Sequence, residues 1–253
     1  VERTSQLRQA LEEVERLSEM KSKFISEVAH ELRTPLTSIQ GFAETMIRLR
    51  DRMTEEKKQE CAETISNESI RLTRLINNLL DLARIESGNI QLEKKPIQME
   101  PIVRASILSS EPAAKKKDIN LQLDNPDSLP CVLADHDAIR RVFDNLLGNA
   151  MKFTPVGGRI IIALASENGH MQVSVSDTGM GIPAQDLQHI FDPFYQVKSP
   201  GARTVGTGLG LPIVKSLIEE LGGEVSADST PGQGSVLTFT LPTTPEKDNV
   251  NGV

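Results

Sequence analysis

Phe24-Ile25-Ser26-Glu27-Val28-Ala29-His30-Glu31-Leu32-Arg33-Thr34-Pro35-Leu36 sets a histidine beside a carboxylate, with a hydroxyl one helical turn later and a proline behind it. Phe24, Val28, Leu32 and Ile39 recur at helical intervals and form an apolar stripe. At about 100° per residue, His30 points well off that stripe, toward solvent or a visiting domain. Thr34, one turn on, shares its face. A proline inside a helix removes a hydrogen bond and costs about 3 kcal/mol, so the helix is expected to bend at Pro35.

Upstream, Leu7, Ala10, Val14, Leu17 and Phe24 keep the heptad spacing of a coiled coil, which Lys21 weakens just before the histidine. Downstream, Asp51–Thr54 reads as a polar turn. From Glu55 to Glu86, Ile65, Leu72 and Leu79 recur one heptad apart, with Cys61, Leu75 and Leu82 at the other seam position. Ile76, Leu80 and Ala83 widen this stripe beyond a two-stranded seam, as a bundle core requires. Two such helices joined by a tight turn bury only half of the face. A homodimeric four-helix bundle is therefore expected, with a monomeric hairpin as the plainer alternative.

A chain of 253 residues has room for two domains. Its net charge of −7 argues against nucleic acid as the main partner, because phosphate backbones demand basic surface. Lys115-Lys116-Lys117 reads as a solvated turn. No apolar run approaches the ~20 residues of a membrane span, and no signal peptide opens the chain. A cytoplasmic fragment without membrane contact is expected. It starts at Val1 without a methionine, which leaves room for a parent protein anchored upstream. Cys61 and Cys131 lack metal-ligand spacing and fit a reducing compartment.

Ser87-Gly88-Asn89 ends the second helix, and the pattern then changes. Ile119–Leu123, Arg159–Leu164, Met171–Ser176, Val225–Ala227 and Ser235–Leu241 read as strands. Asp135 caps a helix over His136–Lys152, and Leu209–Leu221 is a second helix stopped by Gly222-Gly223. Strands mixed with helices predict an α/β sandwich. The polar tail after Pro242 is expected to be disordered.

Three segments of this region carry chemistry. Asn145, Asn149 and Lys152 share one face of the first helix, opposite Leu146, Leu147, Ala150 and Met151. Amide oxygens suit a hard cation, and an ammonium suits phosphate. Asp177-Thr178-Gly179-Met180-Gly181 puts a carboxylate at a strand end beside glycines that admit a ligand to the backbone. Gly206-Thr207-Gly208-Leu209-Gly210-Leu211 leads into a helix, where free N–H groups and the macrodipole favour phosphate. Its spacing fits neither a Rossmann fingerprint nor a Walker A loop. The polar stretch Lys198–Val205 between the glycine segments reads as a lid.

Taken in order, His30–Leu36, Asn145–Phe153, Asp177–Gly181, Phe191-Asp192-Pro193-Phe194 and Gly206–Leu211 resemble the boxes of a bacterial sensor histidine kinase. The likeness runs over nearly the whole chain, and the subfamily resembled is the one whose phosphoacceptor opens an H-E-x-x-T motif. It implies a multidomain protein. An all-α antiparallel hairpin, dimerising into a four-helix bundle, would precede an α/β sandwich of the Bergerat ATP-binding type, a mixed sheet with helices on one face. The expected division is a coiled-coil helix over 1–20, a dimerisation and phosphotransfer domain over 21–88, an ATP-binding domain over 89–244 and a tail over 245–253.

The resemblance also implies roles. His30 would attack the γ-phosphorus of ATP through its ε-nitrogen, and Glu31 would accept from or orient the δ-nitrogen. Thr34 matches the phosphatase position, where it would orient water against a phosphorylated response regulator. Asn149 would ligate Mg²⁺ with Asn145 in support, Lys152 would meet phosphate oxygens, and Phe153 completes the nucleotide-binding set on that helix. Asp177 would receive the adenine amine, with Gly179 and Gly181 giving the base room. Gly206, Thr207, Gly208, Leu209 and Gly210 would hold phosphates beneath the lid. The implied activity is ATP-dependent autophosphorylation of His30 and transfer to an aspartate of a response regulator receiver domain. A nucleotide-binding dimeric scaffold without transfer is the alternative.

Two positions depart from the pattern of many relatives: Arg141 stands where they have glutamine, and Gln196 where they have arginine. Arg141 is therefore expected to supply the γ-phosphate cation, with Lys198 and Arg203 as other candidates, the alternative being that both departures are plain surface changes. His136, His170 and His189 read as a residue behind a helix cap, a turn residue and a residue on a short helix.

Overall fold

The computed structural model describes residues 2–86, 92–126, 128–197 and 208–244. It divides into two compact units, Val1–Leu80 and Asp81–Val253. The expectations for Ser87–Asn89, the lid, Arg203, Gly206, Thr207 and the tail from 245 on fall outside the described residues.

The first unit is a hairpin of two helices. Helix α1 (Glu2–Leu49) continues unbroken through Pro35, whose ring is buried. A 3-10 turn at Arg50–Arg52 leads to α2 (Glu55–Glu86), which runs on into the second unit. Thr54 starts α2 by accepting from Lys57 N at 3.4 Å through its hydroxyl. The seam residues Leu7–Phe24 lie within α1, but their side chains are not among those described. Cys61 and Leu75 of the other seam are buried. Ile25, Ile47, Ile70, Ile76 and Leu80 of the same hairpin stay exposed. Among the described residues, no helix is long and apolar enough to cross a membrane.

The second unit is built on a five-stranded mixed sheet. Its strands are β2 (Asn120–Asp124), β4 (Arg159–Glu167), β5 (His170–Asp177), β6 (Glu224–Thr230) and β7 (Gly234–Pro242), in the order β2-β4-β5-β7-β6. Only β2–β4 is parallel; the other neighbours run antiparallel. Ile160, Ile162 and Leu164 of β4, Met171, Val173 and Val175 of β5, and Leu237, Phe239 and Leu241 of β7 are buried on one face. Alternation of this kind is what a sheet covered on one side demands. The covering layer is α3 (Met99–Lys116), α4 (His136–Phe153) and α6 (Gly210–Glu220). Phe143 of α4 meets Phe239 edge-on, with ring centroids 5.9 Å apart. The expected sequence of a helical hairpin and an α/β sandwich is the one observed.

Helix α3 and a two-stranded ribbon of β1 (Lys95–Ile97) with β3 (Val132–Ala134) were not foreseen. Pro101 and Pro112 disguise α3, yet Pro101 falls in the first turn, where an N–H has no partner to lose. Met99, Ile102, Val103 and Ser106 still keep the helical buried stripe. His189 is corrected too: α5 is only Ala184–Leu187, and His189 lies in the turn after it, pairing with Asp192 Oδ2 at 2.9 Å.

Candidate active site

In the hairpin, His30 is exposed and Glu31, the next residue, is half-buried, because one step of about 100° swings a helical side chain toward the neighbouring helix. The Thr34 hydroxyl, also exposed, donates to the His30 carbonyl at 3.2 Å. Arg71 of α2 reaches across the hairpin, its Nη2 lying 3.5 Å from Glu31 Oε2. Sequence reading missed Arg71. The available signal was Glu68, a carboxylate in the seam series of Cys61 and Leu75.

In the second unit, α4 is the organising element. Asp135 caps it, accepting from Ala138 N at 2.9 Å through Oδ1 and from Glu93 N at 2.8 Å through Oδ2. The amphipathic pattern buries Leu146, Leu147, Ala150 and Met151 and leaves Asn145, Asn149 and Lys152 half-buried on the other side. Asn145 Nδ2 donates to the Arg141 carbonyl at 2.9 Å. Lys152 Nζ stands 4.3 Å from the centroid of the Phe153 ring, which is itself exposed.

Two glycine contacts, at Gly179 and Gly210, bring separate segments onto this helix, and two more, at Gly208 and Gly181, lock the loops beside it. A β-carbon at Gly179 would sit 2.5 Å from Asp177 Oδ1 and 2.8 Å from the Phe153 carbonyl oxygen. One at Gly210 would sit 2.8 Å from Asn145 Oδ1. Gly208, at φ +66°, presses its α-carbon face on the Phe194 backbone and accepts a hydrogen bond from Phe194 N at 2.9 Å. Gly181, at φ +69°, lies against the Thr230 carbonyl in the same way. Asp177, Gly179, Phe153, Asn145 and Gly210 are therefore gathered around the solvent-facing side and C-terminal end of α4, while Leu209, next to Gly210, is fully buried.

Asp177 ends β5, opposite Ile160 of β4 and Ser235 of β7. Burial pushes its pKa up, against the pull of hydrogen bonds from the backbone N–H groups of Gly179 and Ser235. The Gly179 bond is 2.7 Å long. A carboxylate can accept about four hydrogen bonds, so two N–H groups leave it capacity for a ligand amine. Arg141 is exposed and pairs through Nη1 with Asp81 Oδ1 at 2.8 Å.

A nucleotide fits this donor set. Side chains are excluded at Gly179 by Asp177 Oδ1 and the Phe153 carbonyl and at Gly210 by Asn145 Oδ1, and the half-buried amides of Asn145 and Asn149 lie on the same helix face as Lys152. Among the described residues no three His, Cys, Asp or Glu side chains cluster around a metal position. Mg²⁺ commonly takes one or two protein oxygens and completes its shell with water and phosphate, which an asparagine can satisfy.

Comparison with known proteins agrees with this architecture. Residues 20–88 match the His Kinase A (phospho-acceptor) domain. Residues 134–245 match the Histidine kinase-, DNA gyrase B-, and HSP90-like ATPase family. Drug sensory protein A of Synechocystis sp. is 39% identical over 236 residues, which cover 89% of this chain and 35% of that protein. The chain thus spans about a third of that relative's length. The structure of full-length ShkA in complex with AMPPNP superposes with a TM-score of 0.66 at 30% identity, covering 88% of this chain and 46% of that one. Histidine kinase ThkA in complex with response regulator protein TrrA superposes with a TM-score of 0.67 at 28% identity, covering 93% of this chain and 64% of that one. With a phosphoacceptor hairpin and an ATPase-type sandwich on one chain, in that order, this protein belongs to the histidine kinase family.

Proposed function

We propose that this chain is the catalytic core of a two-component sensor kinase, binding ATP in the second unit and transferring its γ-phosphoryl group to His30. The observation that carries this reading is the exposed His30 followed by a half-buried Glu31, on the same chain as the Asp177–Gly179–Asn145 cradle. The His30 ε-nitrogen lone pair forms the new N–P bond while the bond from the γ-phosphorus to its bridging oxygen breaks and ADP leaves. Glu31 takes the proton from the δ-nitrogen. The phosphoryl group then passes to an aspartate of a response regulator receiver domain, a partner class supported by the ThkA–TrrA complex.

Asp177 binds the adenine amine, with Gly179 and Gly181 shaping the base pocket. Lys152, Gly208 and Gly210 face the phosphates and Leu209 backs that turn from the core; Gly206, Thr207 and Arg203, which lie beyond the described residues, are assigned to the same role by their place in the sequence. Mg²⁺, when bound, neutralises triphosphate charge, and Asn149 is its protein ligand. Asn145 cannot take a proton as a carboxylate would, so ATP waits for His30 rather than for water. Thr34, exposed one turn beyond His30, orients water for dephosphorylating the regulator. Arg141 exchanges Asp81 for the γ-phosphate. The exposed Ile25, Ile47, Ile70, Ile76 and Leu80 are covered by a second copy in a homodimer.

Incubation with γ-labelled ATP and Mg²⁺ tests the assignment. Acid-labile, base-stable label should appear on the wild-type chain and be absent from His30→Gln. Free phosphate released without labelling would mean an ordinary ATPase. Nucleotide binding with neither product would mean a scaffold.

A further inference from the structure

Glu68 occupies a position that hydrophobicity would have given to leucine. It lies seven residues after Cys61 and seven before Leu75, both buried in the hairpin. Glu68 Oε2 is sealed from solvent without a hydrogen-bond partner. Its nearest cation is Arg71, one turn on, whose Nη1 stands 3.7 Å away. The other terminal nitrogen of that guanidinium, Nη2, stands 3.5 Å from Oε2 of Glu31 on α1. The two arms of a single fork are thus divided between a seam carboxylate on one helix and the carboxylate beside His30 on the other.

The Glu68 side chain is 26% exposed, but a carboxylate oxygen sealed from water without a hydrogen bond costs free energy unless a cation faces it. Stability alone gives no reason for a charge at this seam position. Aiming a long, flexible arginine does. Glu68 faces one arm of Arg71 at 3.7 Å, and a planar guanidinium can address two acceptors in fixed relative directions where an ammonium cannot.

We infer that Arg71 is a positioning residue for phosphotransfer: anchored by Glu68, it holds the Glu31 carboxylate in the orientation from which Glu31 serves the His30 imidazole. Arg71 matters in this way only if Glu31 acts on His30 as proposed above. Its role runs through Glu31 and not through the proposed nucleotide site, so its loss should lower kcat and leave the KM for ATP alone.

Initial autophosphorylation rates, measured across ATP concentrations with γ-labelled ATP and Mg²⁺, decide the matter for the wild-type chain, Glu31→Gln, Arg71→Met, their double variant and Glu68→Gln. Circular dichroism monitors folding. Glu31→Gln should lower kcat about 100-fold and Arg71→Met about 10-fold, both at constant KM. The double variant should be no slower than Glu31→Gln alone, because a residue acting through a partner has nothing left to contribute once the partner is gone. An Arg71→Met chain as fast as wild type, or a double variant slower by the full product of the two effects, overturns the role of Arg71 while leaving that of Glu31 intact. A Glu31→Gln chain with an unchanged rate instead removes Glu31 from the mechanism and Arg71 with it. Should Arg71→Met fail to fold, the near-isosteric Glu68→Gln decides: a several-fold fall in kcat that disappears in the Glu31→Gln background supports the anchor, and an unchanged kcat sinks it.

Discussion

Asp177 carries opposing demands. Its carboxylate is partly withdrawn from water at the end of β5, and burial raises its pKa despite two backbone N–H donors. The native state therefore holds that proton more tightly than the unfolded chain does. The resulting cost is absent in acid, below the unfolded value, grows as pH rises toward the raised folded value, and is complete above it. Asparagine keeps a carbonyl oxygen for the Gly179 donor and carries no charge to desolvate. Asp177→Asn should therefore lose ATP binding and still melt higher than wild type at neutral pH, with the advantage shrinking toward about pH 4. Thermal melts over that range and a nucleotide titration check both halves. A variant that melts lower at every pH would mean that the carboxylate serves the fold rather than the ligand.

Helix α4 ends under the control of a residue from outside it. Lys117, just past α3, donates through Nζ to the carbonyls of Met151 at 2.8 Å, Lys152 at 3.2 Å and Thr154 at 3.4 Å. The Thr154 hydroxyl takes up the Ala150 carbonyl at 2.7 Å. A cation at the negative end of a helix, with hydrogen bonds to otherwise unmatched carbonyls, contributes about 1–2 kcal/mol. The same turn carries Lys152 and Phe153, and the Phe153 carbonyl abuts Gly179. Lys117→Met should lower Tm by about 2–4 °C per kcal/mol lost and raise the KM for ATP several-fold, with kcat little changed. A Tm fall without a KM change would confine Lys117 to stability.

As a single copy, the hairpin leaves large aliphatic side chains uncovered, which the proposed homodimer would bury. Ile76 is 44% exposed and Leu80 52% exposed on the helix that also buries Leu75. Covering a large aliphatic side chain contributes about 1.5–3 kcal/mol, and a two-fold dimer counts each position twice. Ile76→Glu with Leu80→Glu should therefore raise the dimer Kd by more than about 100-fold, as read by light scattering. Nucleotide binding by the second unit should be unaffected. A double variant that stays dimeric would place the contact on another face.

Periodicity alone was enough to place α1, α2 and the strands β4, β5 and β7, because a helix or strand that must bury one face repeats its apolar residues at the spacing of that face. The residues proposed to hold the nucleotide were named from short motifs whose order resembles that of histidine kinases, and local sequence showed only that glycines, asparagines and an aspartate stand at strand and helix ends. Helix α3 was hidden by Pro101 and Pro112, whose cost depends on where in the helix each falls. Three relations belonged to tertiary structure alone. Arg71 meets Glu31 across 40 positions of sequence, Lys117 caps α4 from another element, and Arg141 pairs with Asp81. Side-chain pairs of that range leave no periodic trace. They exist because two backbones approach, and only the folded chain decides which long side chain lies opposite which charge.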